Sequence, residues 1–219
     1  MKNIVLLILT FTLLLSCQSD KKPHKNNQEK PETLQEATPV SQDLWHLNED
    51  KSSIHWTGYK TTDKVAVNGV FQNFTLKGIQ PASDLKTAIK NAQVSINIYS
   101  IFSKEESRDE KLIQYLFETM TGTKTIDARI EKINPDGKSA LVNIYMNNHE
   151  KLVPMQLQID PKTGQIILTG KIDLIKDFAA GTSLEKLHKA CYDLHTGKDG
   201  VSKTWPEVGV KAVLIFEKK

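Results

Sequence analysis

The chain has 219 residues, 39% of them hydrophobic and 25% charged, with a formal net charge of +3. This balance excludes a disordered chain and a helical membrane spanner, and there is no basic stripe with interleaved aromatics to suggest nucleic acid. With only two cysteines, Cys17 and Cys191, the fold must rest on a buried core rather than on a disulfide framework.

The chain starts with Lys2 and an apolar run from Ile4 to Leu15, broken only by Thr10 and Thr12. A membrane-spanning helix needs about 20 apolar residues, so this run is too short to cross and has the form of a secretory signal peptide. It ends in Leu14-Leu15-Ser16-Cys17, which resembles the lipobox of bacterial lipoproteins. On that reading residues 1–16 are cleaved and Cys17 carries an acyl anchor such as palmitate. The alternative is an ordinary signal peptide with a chance cysteine. The lipobox places the protein in the envelope of a Gram-negative bacterium, and Gln18, rather than an aspartate, points to the outer membrane facing the periplasm. From Gln18 to Gln42 the composition turns to Lys, Asn, Gln, Glu, Pro, Ser and Thr, which cannot repay the entropy of ordering. Residues 17–43 are therefore expected to form a polar tether with a reach of roughly 25–30 Å, and residues 44–219 the folded domain.

Beyond Leu44 the apolar residues recur at every second position. Ile54 and Trp56, then Val94, Ile96 and Ile98, then Ile126, Ala128 and Ile130, then Met155, Leu157 and Ile159 each share one face. Val208, Val210, Ala212, Leu214 and Phe216 do the same in the last strand. This period marks antiparallel strands with one buried and one wet face. Asn134-Pro135-Asp136-Gly137 and Asp160-Pro161-Lys162-Thr163-Gly164 have the residues of type I turns closed by a glycine bulge, and Asn48 to Lys51 suggests a third turn. Arg108 to Phe117 and Ser183 to Leu194 predict short helices, the second with a stripe of Leu184, Leu187, Cys191 and Leu194 ahead of Gly197; Asp84 to Asn91 adds a helical turn. The fold class is all-β: an antiparallel barrel of about eight strands with one or two short helices. Scattered charges on the strands argue against an outer-membrane barrel. A soluble barrel of this size is either filled by side chains or holds one small apolar ligand.

Three stretches carry a resemblance. Gly69-Val70-Phe71-Gln72-Asn73-Phe74 is similar to the G-x-F-x-x-F segment of the YceI-like family. Ser100-Ile101-Phe102, then Arg108-Asp109-Glu110-Lys111-Leu112 and Phe117, resembles its S-I-x-T … R-D-x-x-L … F run. Asn143 to Pro154, with Asn147-Asn148 and Val153-Pro154, resembles its strand–turn–strand. Ala190 to Gly197 and Lys203-Thr204-Trp205-Pro206 resemble a branch seen in lipoproteins of the Bacteroidetes. The resemblance spans about Leu44 to Phe216. It implies a lipocalin-like barrel that holds a long polyisoprenoid lipid or an isoprenoid quinone, with no catalytic residues and no further cofactor.

The candidate ligand-binding residues are Trp56, Phe71, Phe74, Tyr99, Arg108, Leu112, Leu116, Phe117 and Phe178. The aromatic side chains serve either as plain core or as pocket wall. Arg108 can engage a polar ligand end by a forked hydrogen bond; the competing reading has Asp109 cap the helix while Arg108 pairs across the surface. His188, Cys191 and His195 fall on one side of a helix, as metal ligands would, but a fourth ligand is not evident and Cys191 belongs to the apolar stripe. No nucleophile elbow, zinc-protease motif, phosphate loop or dinucleotide fingerprint occurs. The expected function is therefore an extracytoplasmic, lipid-anchored binding protein and not an enzyme. The alternatives are an envelope scaffold with a solidly packed barrel and, more weakly, a metal-binding protein.

Overall fold

The computed structural model describes residues 43–219; the expected signal peptide, Cys17 and almost all of the expected tether lie outside the described residues. The strands are β1 (Trp45–Lys60), β2 (Val65–Phe71), β3 (Phe74–Lys77), β4 (Gln93–Asn97), β5 (Ile101–Phe102), β6 (Thr125–Ile133), β7 (Ser139–Met146), β8 (His149–Asp160), β9 (Gln165–Asp173) and β10 (Glu207–Lys218). Helix α1 (Leu85–Ala88) lies between β3 and β4, α2 (Glu106–Lys111) between β5 and β6, and α3 (Gly181–Ala190) between β9 and β10. Among the described residues no helix is long and apolar enough to cross a membrane.

All pairings are antiparallel, in the order β3-β4-β6-β7-β8-β9-β10-β1-β2-β5. β2 and β3 stand near opposite ends of that order, yet only Gln72 and Asn73 separate them in the chain. Two residues span too little distance to join the ends of a flat sheet, so the sheet must curl until its margins meet. Hydrogen bonds from Gln72 N to Ser100 O (2.9 Å) and from Asn97 N to Asn73 O (3.1 Å) knit this seam. The all-β, lipocalin-like expectation holds. Two strands more than expected come from the short β3 and β5, which carry too few residues to show a period.

The alternation seen in the sequence is the barrel's inside and outside. Ile54, Trp56, Ile96, Val142, Ile144, Met155, Leu157, Leu168, Leu214 and Phe216 are buried. Gly137 and Gly164 close their hairpins with φ of 67° and 72°, and Gly164 N donates to Asp160 O at 3.0 Å. In the β7–β8 turn Asn147 and Asn148 are both left-handed (φ 53° and 57°), the backbone a two-residue type I′ hairpin requires.

Three expectations need correction. Asn48–Lys51 is not a hairpin turn. It bulges out of β1, whose register against β10 jumps between Asn48 and Ser53, and Ser52 Oγ bridges the bulge by donating to Asn48 O (2.8 Å) and accepting from Ile215 N (3.1 Å). The second helix ends at Ala190, so the chain leaves the helical stripe and Leu194 is 58% exposed. Asp109 does not cap its helix: Glu105 does, through Ser107 N, while both Asp109 carboxylate oxygens accept from Ser103 N at 3.0 Å.

The two ends of the barrel are built differently. At one end lie the short β6–β7 and β8–β9 turns, with Lys86 on α1 donating to Pro135 O and Ala82 pairing with Trp45. Leu85, Ala88 and Ile89 there are almost wholly buried and plug the barrel. At the other end lie α2, α3, the β1–β2 turn and a strap of residues 191–206.

Candidate functional site: an apolar cavity with a polar mouth

A cavity of about 360 Å³ runs inside the barrel, within the range of about 300–1,000 Å³ typical of ligand pockets. Its wall is predominantly apolar. Ile96, Ile126, Ala128, Ile130, Val142 and Ile144 form one side; Ile54, Trp56, Phe71, Val210, Ala212 and Leu214 form another. These are the inward positions of the period-two pattern. Large side chains do not fill this barrel, so the solidly packed interior is not what the structure has.

The helical end supplies the rest. α2 passes without a break into a π-helical turn, Leu112–Phe117. A π turn widens the helix and shifts its side chains relative to an α-helical stripe. Here Leu112, Leu116 and Phe117 reach the cavity, and Phe117 meets Phe71 edge to face with ring centroids 6.3 Å apart. From α3, Leu184 and Leu187 join them, with Cys191 just beyond. Burial pushes the Cys191 thiol up, so it stays a neutral, small apolar group in the wall.

Of the sequence candidates, Trp56, Phe71, Arg108, Leu112, Leu116 and Phe117 come together around this one cavity. Three do not. Tyr99 is 50% exposed in a 3-10 turn; since Ile96 and Ile98 point inward, its place in the alternation was already outward. Phe74 lies half-buried on the margin strand β3, against the core but outside the cavity wall. Phe178 is wholly buried in the β9–β10 connection and is plain core.

The mouth assembles polar groups from three separate parts of the chain. Lys60 comes from the end of β1, Arg108 and Lys111 from α2, and His195, Thr204 and Trp205 from the strap. Among the described residues none of the three cations is in an ion pair; each bonds a neutral oxygen instead. Lys60 Nζ donates to Leu194 O (3.1 Å), Arg108 to Ser103 Oγ (3.3 Å) and Lys111 Nζ to Ser107 O (3.3 Å). Arg108 thus makes no pair across the surface. The Glu105 carboxylate on the same rim is taken up by Ser107 N and Oγ. Sequence reading missed Lys60, Lys111, Leu194 and Trp205, because nothing local links residues so far apart in the chain.

His188 and His195 converge on one hydroxyl. Their Nδ1 atoms lie 3.0 and 2.6 Å from Thr204 Oγ1, a geometry satisfied when one ring accepts the hydroxyl proton and the other donates. Burial, reinforced by the positive charges of Lys60, His188 and Arg108, lowers the His195 pKa to about 4. Among the described residues no group of three or more His, Cys, Asp or Glu side chains is placed to hold a metal ion.

Comparison with known proteins places this architecture. No protein-family model and no curated protein sequence matches the chain. Among solved structures, the chain is similar to a polyisoprenoid binding domain from Saccharophagus degradans implicated in plant cell wall breakdown, with 15% identity, a TM-score of 0.56, and 81% of this chain and 99% of that one covered. It is similar to BcnA of Burkholderia cenocepacia at 15% identity and a TM-score of 0.54, over 77% of this chain and 98% of the other. A weaker likeness, on which nothing rests, is to the YceI protein of Campylobacter jejuni, with 15% identity, a TM-score of 0.44, and 70% and 85% of the two chains covered. The chain therefore has the fold of the Saccharophagus degradans domain and of BcnA.

Proposed function

We propose that this protein is a carrier for a long-chain isoprenoid lipid, a polyisoprenoid or an isoprenoid quinone, held in the barrel outside the cytoplasm. The observation that carries the reading is the apolar cavity of about 360 Å³ with polar groups gathered at its helical end. Each buried CH₂ contributes about 0.8 kcal/mol, so a prenyl chain laid along Ile96, Ile144, Phe71 and Phe117 binds without specific polar contacts. Arg108 at the mouth is positioned for the polar end of such a ligand. The shared fold of the Saccharophagus degradans domain, which binds polyisoprenoid, supports the ligand class.

The lipobox at Cys17 completes the reading: an acyl anchor and a polar tether keep the barrel near an envelope membrane, the outer membrane facing the periplasm. The role is binding rather than catalysis. Extraction of the purified protein with organic solvent followed by mass spectrometry tests this, with a stoichiometric prenyl lipid expected. Ile144→Trp, which fills the cavity, is expected to remove that lipid while the protein stays folded. A ligand-free wild-type protein that also takes up no added prenyl lipid would overturn the carrier.

A further inference from the structure

The strap that borders the mouth has a surface of its own. Tyr192, Leu194 and Val201 are 53%, 58% and 51% exposed, three large apolar side chains within ten residues. The strap is ordered, not a loose loop. Lys203 N donates to His195 O (3.0 Å), Gly197 N to Val201 O (2.9 Å) and Ser202 Oγ to Tyr192 O (2.8 Å), while Trp205 Nε1 donates to Thr61 O (2.8 Å) in the β1–β2 turn. Holding three apolar side chains in water on a rigid support costs solvation, and such exposure marks an interaction surface. Leu194 belongs to this surface and to the cavity wall at once, so the exposed patch is continuous with the cavity.

Cations surround the patch. Among the described residues Lys60, Lys111, Lys186, Lys198 and Lys203 form no ion pair. Lys203 and Lys64 instead lie over the Trp205 ring, at 5.1 and 4.7 Å from its centroid. The acids there are fewer: Asp63 and Asp193 are exposed, Asp199 accepts from Thr62 Oγ1 (2.6 Å) and Val201 N (3.0 Å), and Glu207 pairs with Lys64. Apolar side chains ringed by lysine, with an indole at the same level, are the features of a protein face that rests at a bilayer interface.

We propose that the mouth and strap form a docking face for an anionic lipid bilayer, with Tyr192, Leu194 and Val201 entering the headgroup layer and the lysines meeting its negative charge. This rests on the carrier reading only for its purpose: docking would set the cavity against the acyl layer, so that an apolar ligand moves between membrane and barrel without crossing water. The bilayer is the occupant favoured over a protein partner because the apolar patch is small, opens directly into an apolar cavity and carries more lysine than carboxylate: Lys60, Lys111, Lys186, Lys198 and Lys203 outnumber Asp63, Asp193 and Asp199, the acids of the strap and the β1–β2 turn. Each lysine near an anionic surface is worth about fivefold in binding.

The test uses the chain from residue 17 with Cys17→Ser, so that no acyl anchor contributes, and vesicles of phosphatidylcholine with 30% phosphatidylglycerol (roughly the charge density for which the per-lysine estimate applies). Flotation is expected to carry the protein with these vesicles at low salt and not with phosphatidylcholine alone, and high salt is expected to release it. Lys186→Ser with Lys198→Ser should weaken binding on the order of 25-fold by the same per-charge figure, and Val201→Ser should weaken it further. None of these positions lines the cavity. Lys138→Ser with Lys162→Ser, at the plugged end, should change nothing. Binding that is absent, indifferent to vesicle charge, or weakened equally by the plugged-end variant overturns the proposal, and salt-insensitive capture only by another envelope protein would replace it with a protein partner. Because the vesicles carry no prenyl lipid, these outcomes are independent of the extraction experiment: docking without a bound lipid, or a bound lipid without docking, each removes one reading and leaves the other.

Discussion

The plugged end and the mouth end of this barrel are made by opposite means. At the plugged end, connections are short and geometrically fixed, as in the glycine-closed turns at Asn134–Gly137 and Asp160–Gly164, and the α1 segment seals the core with side chains that water does not reach. At the mouth end, the β5–β6 and β9–β10 connections are long, Lys60, Arg108 and Lys111 have no acidic partner among the described residues, and large apolar side chains stand in solvent. One end is optimised for stability. The other keeps exposed apolar and cationic side chains that stability alone would remove, which is the usual mark of a working surface held on a rigid frame.

That contrast can be broken by mutation, most sharply at the plug. Ile89→Ala removes a side chain with no exposed surface and should cost about 3–4 kcal/mol, as buried large-to-small changes do, read as a lowered denaturation midpoint. A loss under about 1 kcal/mol would mean that the plug is soft. Gly164→Ala comes next. Its φ of 72° is unfavourable for alanine, and a Cβ there would strike the Phe216 carbonyl and the Trp45 ring; about 2 kcal/mol is expected.

Smaller effects belong to the mouth. His195 is held neutral by burial and neighbouring cations, its pKa lowered from 6.5 to about 4. The unfolded chain binds this proton more readily than the folded one, so stability should fall as pH drops from about 6.5 towards 4 and level off below. His195→Asn should flatten that slope, and an imidazole that titrates near its ordinary value by NMR would contradict the environment described. Leu194→Ser, at an exposed position, should change stability by no more than about 0.5 kcal/mol while reducing vesicle binding. If it unfolds the protein instead, the strap is part of the core and the two ends are not distinct in kind.

The alternation of Val94, Ile96 and Ile98, or of Ile126, Ala128 and Ile130, was enough to find both strands and the cavity wall, because side chains in a strand alternate faces whatever the rest of the chain does. Proline and glycine in the two β turns were equally legible, since backbone dihedrals are a local property. Reading failed where local rules were overridden. Asn48 to Lys51 has turn residues, but β10 runs past and holds β1 as one strand with a bulge. The helix from α2 onward is visible, but its π turn is not, since packing against α3 and the barrel selects it. Phe178 looked like pocket wall because aromaticity does not say which side of a buried layer a ring occupies.

An antiparallel barrel of apolar interior, its hairpin turns and most of its wall were therefore written locally, in period and turn chemistry. Whether the interior would be packed or hollow was not, because that depends on how ten strands and the π turn share one volume. Nor was the mouth, where Lys60, Arg108, Lys111, His195 and Leu194 meet only after the β1–β2 turn, α2 and the strap are folded onto the same end. Their separation in sequence carries no signal of that meeting; closure of the sheet creates it.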